Sequence, residues 1–198
     1  TQGVSSAASD VYKRQPYTQA LHIAWLIARG SSTSQIAGTS PSTTFMFDMN
    51  RVFEEFATTG IGNRLKRLGG AVRFRSSTNS VRTIALDDER TVIMEPDFTW
   101  VSHGRPRAVM DVKYKPSPSP GDYYQALAYG IALDLNDAHL VLPGTDATPP
   151  DTTTLTARGR RLHVHRVGLD VSPNEIESGV DLIANRIADC AMSAATAP

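Results

Sequence analysis

Two aspartates and one lysine are the residues whose types and spacing could do chemistry in this sequence. Asp97 follows Pro96, and Asp111 lies two residues before Lys113. Side chains alternate between the two faces of a strand, so Asp111 and Lys113 are expected on one face. If Asp97 begins the neighbouring antiparallel strand, across a hairpin turn at 102–106, two carboxylates and one amine converge.

Such a convergence suits metal-assisted hydrolysis of a phosphodiester. Mg²⁺ prefers oxygen ligands and keeps several waters, so Asp97, Asp111 and the Val112 carbonyl suffice to hold it. In that chemistry Lys113 stabilises the negative charge that develops on the phosphate. Taken singly, an aspartate two residues before a lysine on a strand is more typical of a surface ion pair, and a Pro-Asp pair is more typical of a turn. The apolar neighbours of Asp111 favour the site, because an ionised carboxylate is costly there unless it is paired or bound to metal.

The basic residues are used unevenly. The chain has 20 basic and 20 acidic residues, so no global positive field attracts nucleic acid. Sixteen of the basic residues are arginines, and two of the four lysines are Lys113 and Lys115. A compact ammonium beside a metal-bound water is not replaceable by a planar guanidinium, which favours a catalytic lysine in this segment.

The remaining candidates are weaker. His163 and His165 share one face of a predicted strand, and we expect them to be a solvent-facing pair rather than metal ligands. Cys190 is the only cysteine, so it forms no internal disulfide and is expected to be a small buried apolar residue. A reduced, cytoplasmic location follows as the default. The longest apolar stretch is too short to span a membrane.

The periodicity of apolar residues predicts the elements that position these side chains. Spacing of three and four predicts helices over 20–29, 47–68, 122–135 and 172–192. Alternation or short apolar runs predict strands over 71–75, 81–86, 92–94, 97–101, 108–114, 139–142 and 161–167. The Thr/Pro-rich segment 145–156 is expected to be an exposed loop. This order predicts an α/β fold with one mixed central sheet flanked by helices.

Four blocks of sequence resemble the McrC family. They are FDMNRVFEEF at 47–56, PD at 96–97, DVKYK at 111–115 and YQALAY at 124–129, and the likeness runs over 17–144. That family provides the nuclease subunit of modified-cytosine-specific restriction systems, which act in antiviral defence, and it belongs to the PD-(D/E)XK superfamily. The resemblance therefore implies a restriction-endonuclease-like core.

The resemblance also implies roles for particular residues. It makes Asp97 and Asp111 the metal ligands and Lys113 the catalytic lysine. Glu54 on the preceding helix would support a metal-bound water, with Glu55 as its competitor. Gln125 on the following helix would orient the site.

The organisation that we expect has three parts. Residues 5–15 resemble a translated sequencing adaptor, so 1–15 is interpreted as artefactual, 16–44 as a helix and loop remaining from a truncated upstream region, and 45–198 as the nuclease domain. The resemblance implies a Mg²⁺-dependent DNA endonuclease activated by an AAA+ GTPase partner of McrB type. The alternative is a non-catalytic scaffold subunit that activates a partner NTPase.

Overall fold

The computed structural model describes residues 48–74, 83–144 and 151–195. The chain divides into two compact units, 1–52 and 53–198, and only 48–52 of the first unit are described. The predicted helix over 20–29 and the interpretation of 1–15 as adaptor-derived therefore lie outside the described residues.

Three helices and eight strands make up the described part of the chain. The helices are α1 (Met49–Arg67), α2 (Pro120–Ala132) and α3 (Pro173–Ala195). The strands are β1 (Ala71–Phe74), β2 (Ile84–Ala85), β3 (Ile93–Met94), β4 (Phe98–Ser102), β5 (Arg105–Val112), β6 (Asp137–Gly144), β7 (Thr152–Ala157) and β8 (Arg160–Gly168). The predicted helices over 47–68, 122–135 and 172–192 are confirmed to within a few residues.

Six of these strands form one mixed sheet. Its order is β1-β4-β5-β6-β8-β7, and β2 pairs with β3 in a separate two-stranded sheet. Strands β5, β6 and β8 run parallel, whereas β1, β4 and β7 pair antiparallel with their neighbours. The α2 connection between β5 and β6 is the helical crossover that parallel neighbours require. The fold is α/β with a restriction-endonuclease-like core, as predicted.

Each face of the sheet has its own hydrophobic core. Helix α1 buries Phe53, Ala57, Ile61 and Leu65, which recur every four residues and so share one face. They pack together with α3 and with side chains of β4 and β5 such as Met110. The opposite face carries α2 over a second apolar cluster, which consists of Val109, Ala126, Tyr129, Ala138, Leu140, Leu142, Leu162 and Val164.

The expected loop over 145–156 is wrong in its second half. Residues 152–157 form β7, which pairs antiparallel with β8 at the edge of the sheet. Most β7 side chains are exposed. The segment therefore lacks the alternation of apolar and polar residues by which a half-buried strand is predicted. Its signal was the run of threonines, which favour strands. Residues 145–150 lie outside the described part.

Candidate active site and buried histidine cluster

The β4–β5 hairpin brings Asp97 and Asp111 together. In its register Phe98 pairs with Met110, and both side chains belong to the core under α1 and α3. Asp97 lies in the bend immediately before β4, and its charge acts on the Asp111 carboxyl, so the two carboxylates are close neighbours. Asp111 follows the core residue Met110 along β5, so its carboxylate projects on the α2 side of the sheet. The hairpin predicted at 102–106 is therefore the device that joins them.

Asp111 is a buried carboxylate whose negative charge is only partly balanced by a neighbouring positive charge. It is 1% exposed, and its Oδ2 lies 2.8 Å from Nζ of Lys113. This contact is an ion pair, and apart from Lys113 no donor reaches Oδ2 within the described residues. Burial and the negative charge of Asp97 raise the pKa of Asp111 to about 7, although Lys113 opposes them.

Lys113 shares the face of Asp111, as its spacing predicts. Burial by itself lowers the pKa of the Lys113 ammonium, but its contact with Asp111 and the charges of Asp97 and Asp122 outweigh burial and raise the pKa. Lys113 therefore stays positively charged beside the two carboxylates. Lys115 is engaged differently, because its ammonium pairs with Asp122 at the start of α2.

Asp97 is fixed by the backbone of the neighbouring strand. Its Oδ2 accepts a hydrogen bond from the Val112 amide at 2.9 Å, and the residue is 2% exposed. Asp97 lies in a bend just before β4, so its side chain accepts from the Val112 amide where the strand ladder has ended.

Gln125 connects α2 to the segment that precedes Asp97. Its Nε2 donates to the Tyr129 hydroxyl at 2.7 Å, and that hydroxyl donates to the Glu95 carbonyl at 3.1 Å. Glu95 is two residues before Asp97 in the chain. Gln125 and Tyr129, one helical turn apart, are thereby linked to the backbone two residues before Asp97.

Glu54 and Glu55 lie half-buried on α1, on the other side of the sheet. The ring of the adjacent Phe53 packs 5.7 Å from that of Tyr114, just beyond the end of β5. This contact brings the first turns of α1 close to the end of the strand that carries Asp111. A glutamate of α1 would reach the two aspartates only around this strand end.

A second group of titratable side chains lies on the α3 side of the sheet. The expectation that His163 and His165 face solvent is wrong, because they are 6% and 0% exposed. Together with His139 of the parallel strand β6 they form a stack whose ring centroids lie 5.1 to 6.2 Å apart. Helix α3 covers this face, and the sequence pattern of β8 alone cannot show which face is covered.

Asp137, His163 and Cys190 come close enough to hold a metal ion. One potential ligand atom from each lies within 4.8 Å of the other two. Cys190 is half-buried rather than a fully buried apolar residue. Asp137 was not predicted as a candidate, because it lies 26 residues before His163 and becomes its neighbour only through the pairing of β6 with β8.

The charges in this second group are internally balanced. Burial raises the pKa of Asp137, but His163 and Arg161 outweigh it and hold the pKa at about 2. Burial alone lowers the pKa of His163, but its contacts with Asp137 and Cys190 raise the pKa to about 9. Burial lowers the pKa of His139 to about 3, and burial likewise holds the pKa of His165 well below its ordinary value. One charged and two neutral histidines therefore stack here.

The mixed sheet, its crossover helix and the neighbouring aspartates define a protein of the restriction-endonuclease-like fold class. The sequence model of the McrBC 5-methylcytosine restriction system component family matches residues 9–143. The chain belongs to this family and is a component of such a restriction system. The match begins inside the segment interpreted as adaptor-derived. No curated protein matches the chain. None of the helices in the described ranges is long and apolar enough to cross a membrane.

Proposed function

We propose that the chain is the Mg²⁺-dependent DNA endonuclease subunit of its restriction system. The observation that carries the proposal is the convergence of Asp97, Asp111 and Lys113 on one face at the end of β5. Two carboxylates side by side in a buried setting are costly for a protein to maintain. Groups with pKa values perturbed in this way cluster at functional sites.

The donor set suits a hard divalent cation. Asp97 and Asp111 would supply carboxylate oxygens, and the Val112 carbonyl would supply a third oxygen. The buried Oδ2 of Asp111, which no donor other than Lys113 reaches in the described part of the chain, has a lone pair to offer. A cation at this position would also relieve the repulsion between the two carboxylates, which is part of what raises the pKa of Asp111.

Each residue then has a separate task. When bound, Mg²⁺ would supply a Lewis acid that polarises the scissile phosphate and acidifies a bound water. The Lys113 ammonium, held by Asp111, would stabilise the charge that develops on the phosphate oxygens. Gln125 would act as a positioning residue through Tyr129 and the Glu95 carbonyl. Glu54, or Glu55 in its place, would support the attacking water from beyond the strand end.

Cutting would depend on a partner. The chain carries equal numbers of basic and acidic residues, so its surface gains little from releasing counterions on DNA. Phosphodiester hydrolysis still needs the phosphate held within hydrogen-bonding reach of the attacking water. An AAA+ GTPase of McrB type would bring methylated DNA to this site, in the cytoplasm. We therefore expect negligible cleavage by the chain alone with Mg²⁺.

The test combines the chain with a McrB-type partner, GTP, Mg²⁺ and DNA containing 5-methylcytosine. Wild type should cut this DNA. Lys113→Ala should lose cutting while it keeps complex formation and stimulation of GTP hydrolysis. Lys66→Ala is the matched control. Lys66 is an exposed lysine on α1, and it lies outside the sequence segment that carries Asp97, Asp111 and Lys113.

Three outcomes would each count against a different part of the proposal. An unchanged cleavage rate in Lys113→Ala would refute the catalytic role of this lysine. Stimulated GTP hydrolysis without any cleavage by the wild-type complex would favour the scaffold alternative. Efficient cutting by the isolated chain would refute only its dependence on the partner.

A further inference from the structure

The second titratable group lies apart from the proposed nuclease site. Asp137 is the first residue of β6, His163 lies in β8, and Cys190 projects from α3. His163 shares strand parity with Val167, whose side chain packs in the core under α1 and α3. Asp111 projects on the opposite face with Asp97 beside it, so the sheet separates the two groups.

One nitrogen is the meeting point of the three side chains. His163 Nε2 lies 2.7 Å from Oδ1 of Asp137 and 3.7 Å from Sγ of Cys190. In a nucleophilic Cys-His-Asp relay the thiol and the carboxylate contact different ring nitrogens. Here both face the same nitrogen, so the geometry does not fit a relay. It fits three ligand atoms directed at one point.

The contacts around this point are those of a supported metal site. The second ring nitrogen of His163 lies 3.0 Å from the Thr154 hydroxyl, which fixes the orientation of the ring. Arg161 donates to both oxygens of Asp137, from Nε to Oδ1 and from a terminal nitrogen to Oδ2, each at 2.7 Å, which fixes the carboxylate with Oδ1 beside His163. Metal-binding histidines and carboxylates usually have such outer partners.

We propose that Asp137, His163 and Cys190 bind one thiophilic divalent metal ion, Zn²⁺. Tetrahedral zinc places imidazole nitrogen and thiolate sulfur about 3.6 Å apart, and imidazole nitrogen and carboxylate oxygen about 3.4 Å apart. The nitrogen-to-sulfur distance of 3.7 Å already matches. Zinc would displace the proton that His163 Nε2 shares with Oδ1 of Asp137, and the carboxylate must withdraw by about 0.7 Å from its hydrogen-bonded position. Three protein ligands leave the fourth position for a water molecule.

The ligand types distinguish this ion from the one proposed for Asp97 and Asp111. Thiolate and imidazole select zinc and other soft or borderline metals, whereas carboxylate and carbonyl oxygens suit Mg²⁺. An ion bound by Asp137, His163 and Cys190 would hold α3 against β6 and β8, because each of these three elements supplies one ligand. Its role is independent of the nuclease proposal, and it does not require the chain to cut DNA.

The experiment measures metal binding by the chain itself. Metal-free, reduced protein is titrated with Zn²⁺ against a chromophoric chelator, and with Co²⁺ as a spectroscopic probe. Wild type should bind one equivalent and give the thiolate charge-transfer band and the intense visible bands of tetrahedral Co²⁺. Cys190→Ser should weaken Zn²⁺ binding ~100-fold or more and abolish the thiolate band.

Two controls separate this site from other causes of binding. His103→Gln removes an exposed histidine in the β4–β5 turn, and Asp111→Asn disables the other carboxylate site. Both should leave the affinity for Zn²⁺ and the cobalt spectrum unchanged. Circular dichroism checks that Cys190→Ser is folded, and the wild-type cobalt spectrum tests the thiolate ligand without any substitution.

Three results would overturn the proposal. Wild type could fail to compete with the chelator for Zn²⁺. Bound Co²⁺ could show no thiolate band. Zinc binding could survive in folded Cys190→Ser but disappear in His103→Gln or Asp111→Asn, which would place the ion elsewhere.

Discussion

The two faces of the sheet each hold a buried aspartate, and the two aspartates behave oppositely. Asp111 is 1% exposed and its pKa is raised to about 7 by burial and by Asp97. Asp137 is 6% exposed, yet His163 and Arg161 outweigh burial and hold its pKa at about 2. Both side chains are nearly closed to solvent, but Asp111 lies deeper in the protein, so burial and the charge of the neighbours together produce the difference.

This contrast separates two uses of a buried carboxylate. Asp137 has both oxygens engaged by cations, so its ionised form stabilises the fold. Asp111 faces another carboxylate, so its ionised form opposes folding. A protein retains such an opposition where function requires it, and the four predictions below test whether the two regions differ in this way.

The largest expected effect is on cleavage. Lys113→Ala should lower the rate of the reconstituted, partner-activated complex by ~10³-fold or more, because the charge that opposes the developing negative charge is lost. The rate is measured at saturating Mg²⁺ and GTP on methylated DNA. Cys190→Ser should cut at the wild-type rate in the same assay. An equal loss of cleavage rate in the two variants would mean that the two faces of the sheet do not differ in function.

The second effect is on stability at the α3 face. Asp137→Asn should lower the free energy of unfolding by about 3 kcal/mol, because it leaves Arg161 and His163 without their shared partner. Urea unfolding of metal-free protein at pH 7 measures the change. Asp170→Asn, an exposed aspartate after β8, should be neutral. A neutral Asp137→Asn would mean that the ion cluster contributes nothing.

The third effect is a gain in the free energy of unfolding when Asp111 is replaced, opposite in sign to the effect at Asp137. The folded pKa of Asp111 lies above its ordinary value of 3.8, so between about pH 4 and pH 7 the folded state binds more protons than the unfolded state. Its contribution to the free energy of unfolding therefore falls as the pH rises through this window. Asp111→Asn should be more stable than wild type at pH 8 by on the order of 1 to 2 kcal/mol, and about equal near pH 4.

Urea unfolding of metal-free wild type and Asp111→Asn across this pH range provides the measurement. Adding Mg²⁺ should stabilise wild type but not the variant, since binding to the folded state alone raises stability. If Asp111→Asn is destabilised at pH 8, Asp111 is compensated like Asp137 and the contrast between the faces fails.

The smallest effect concerns the hydrogen bonds that join Gln125 and Tyr129 of α2 to the Glu95 carbonyl. Tyr129→Phe removes the hydroxyl that bonds Gln125 and the Glu95 carbonyl, which should cost about 1 kcal/mol of stability. Cleavage should fall several-fold rather than vanish, because Asp97 keeps its bond from the Val112 amide. Tyr124→Phe, at a residue that is 69% exposed, serves as the control. A loss as large as that of Lys113→Ala would place Tyr129 at the reacting atoms.

Local patterns determined most of the fold. The three- and four-residue spacing of apolar residues in α1, the short apolar runs of β4 and β5 and the turn between them predict their elements because each reflects contacts near in the chain. The alternation of side chains along a strand puts Asp111 and Lys113 on one face, and the hairpin adds Asp97 at short range. The proposed nuclease site could be predicted because its central residues lie within 17 positions of one another.

Only the tertiary structure decided what surrounds β6 and β8. Asp137, His163 and Cys190 meet because two parallel strands pair and α3 covers their face, and no local period encodes that pairing. The solvent-facing interpretation of His163 and His165 failed for this reason: alternation tells which residues share a face but not whether a helix covers it. Burial and charge pairing then set the pKa of each histidine, and both depend on neighbours that are remote in the sequence.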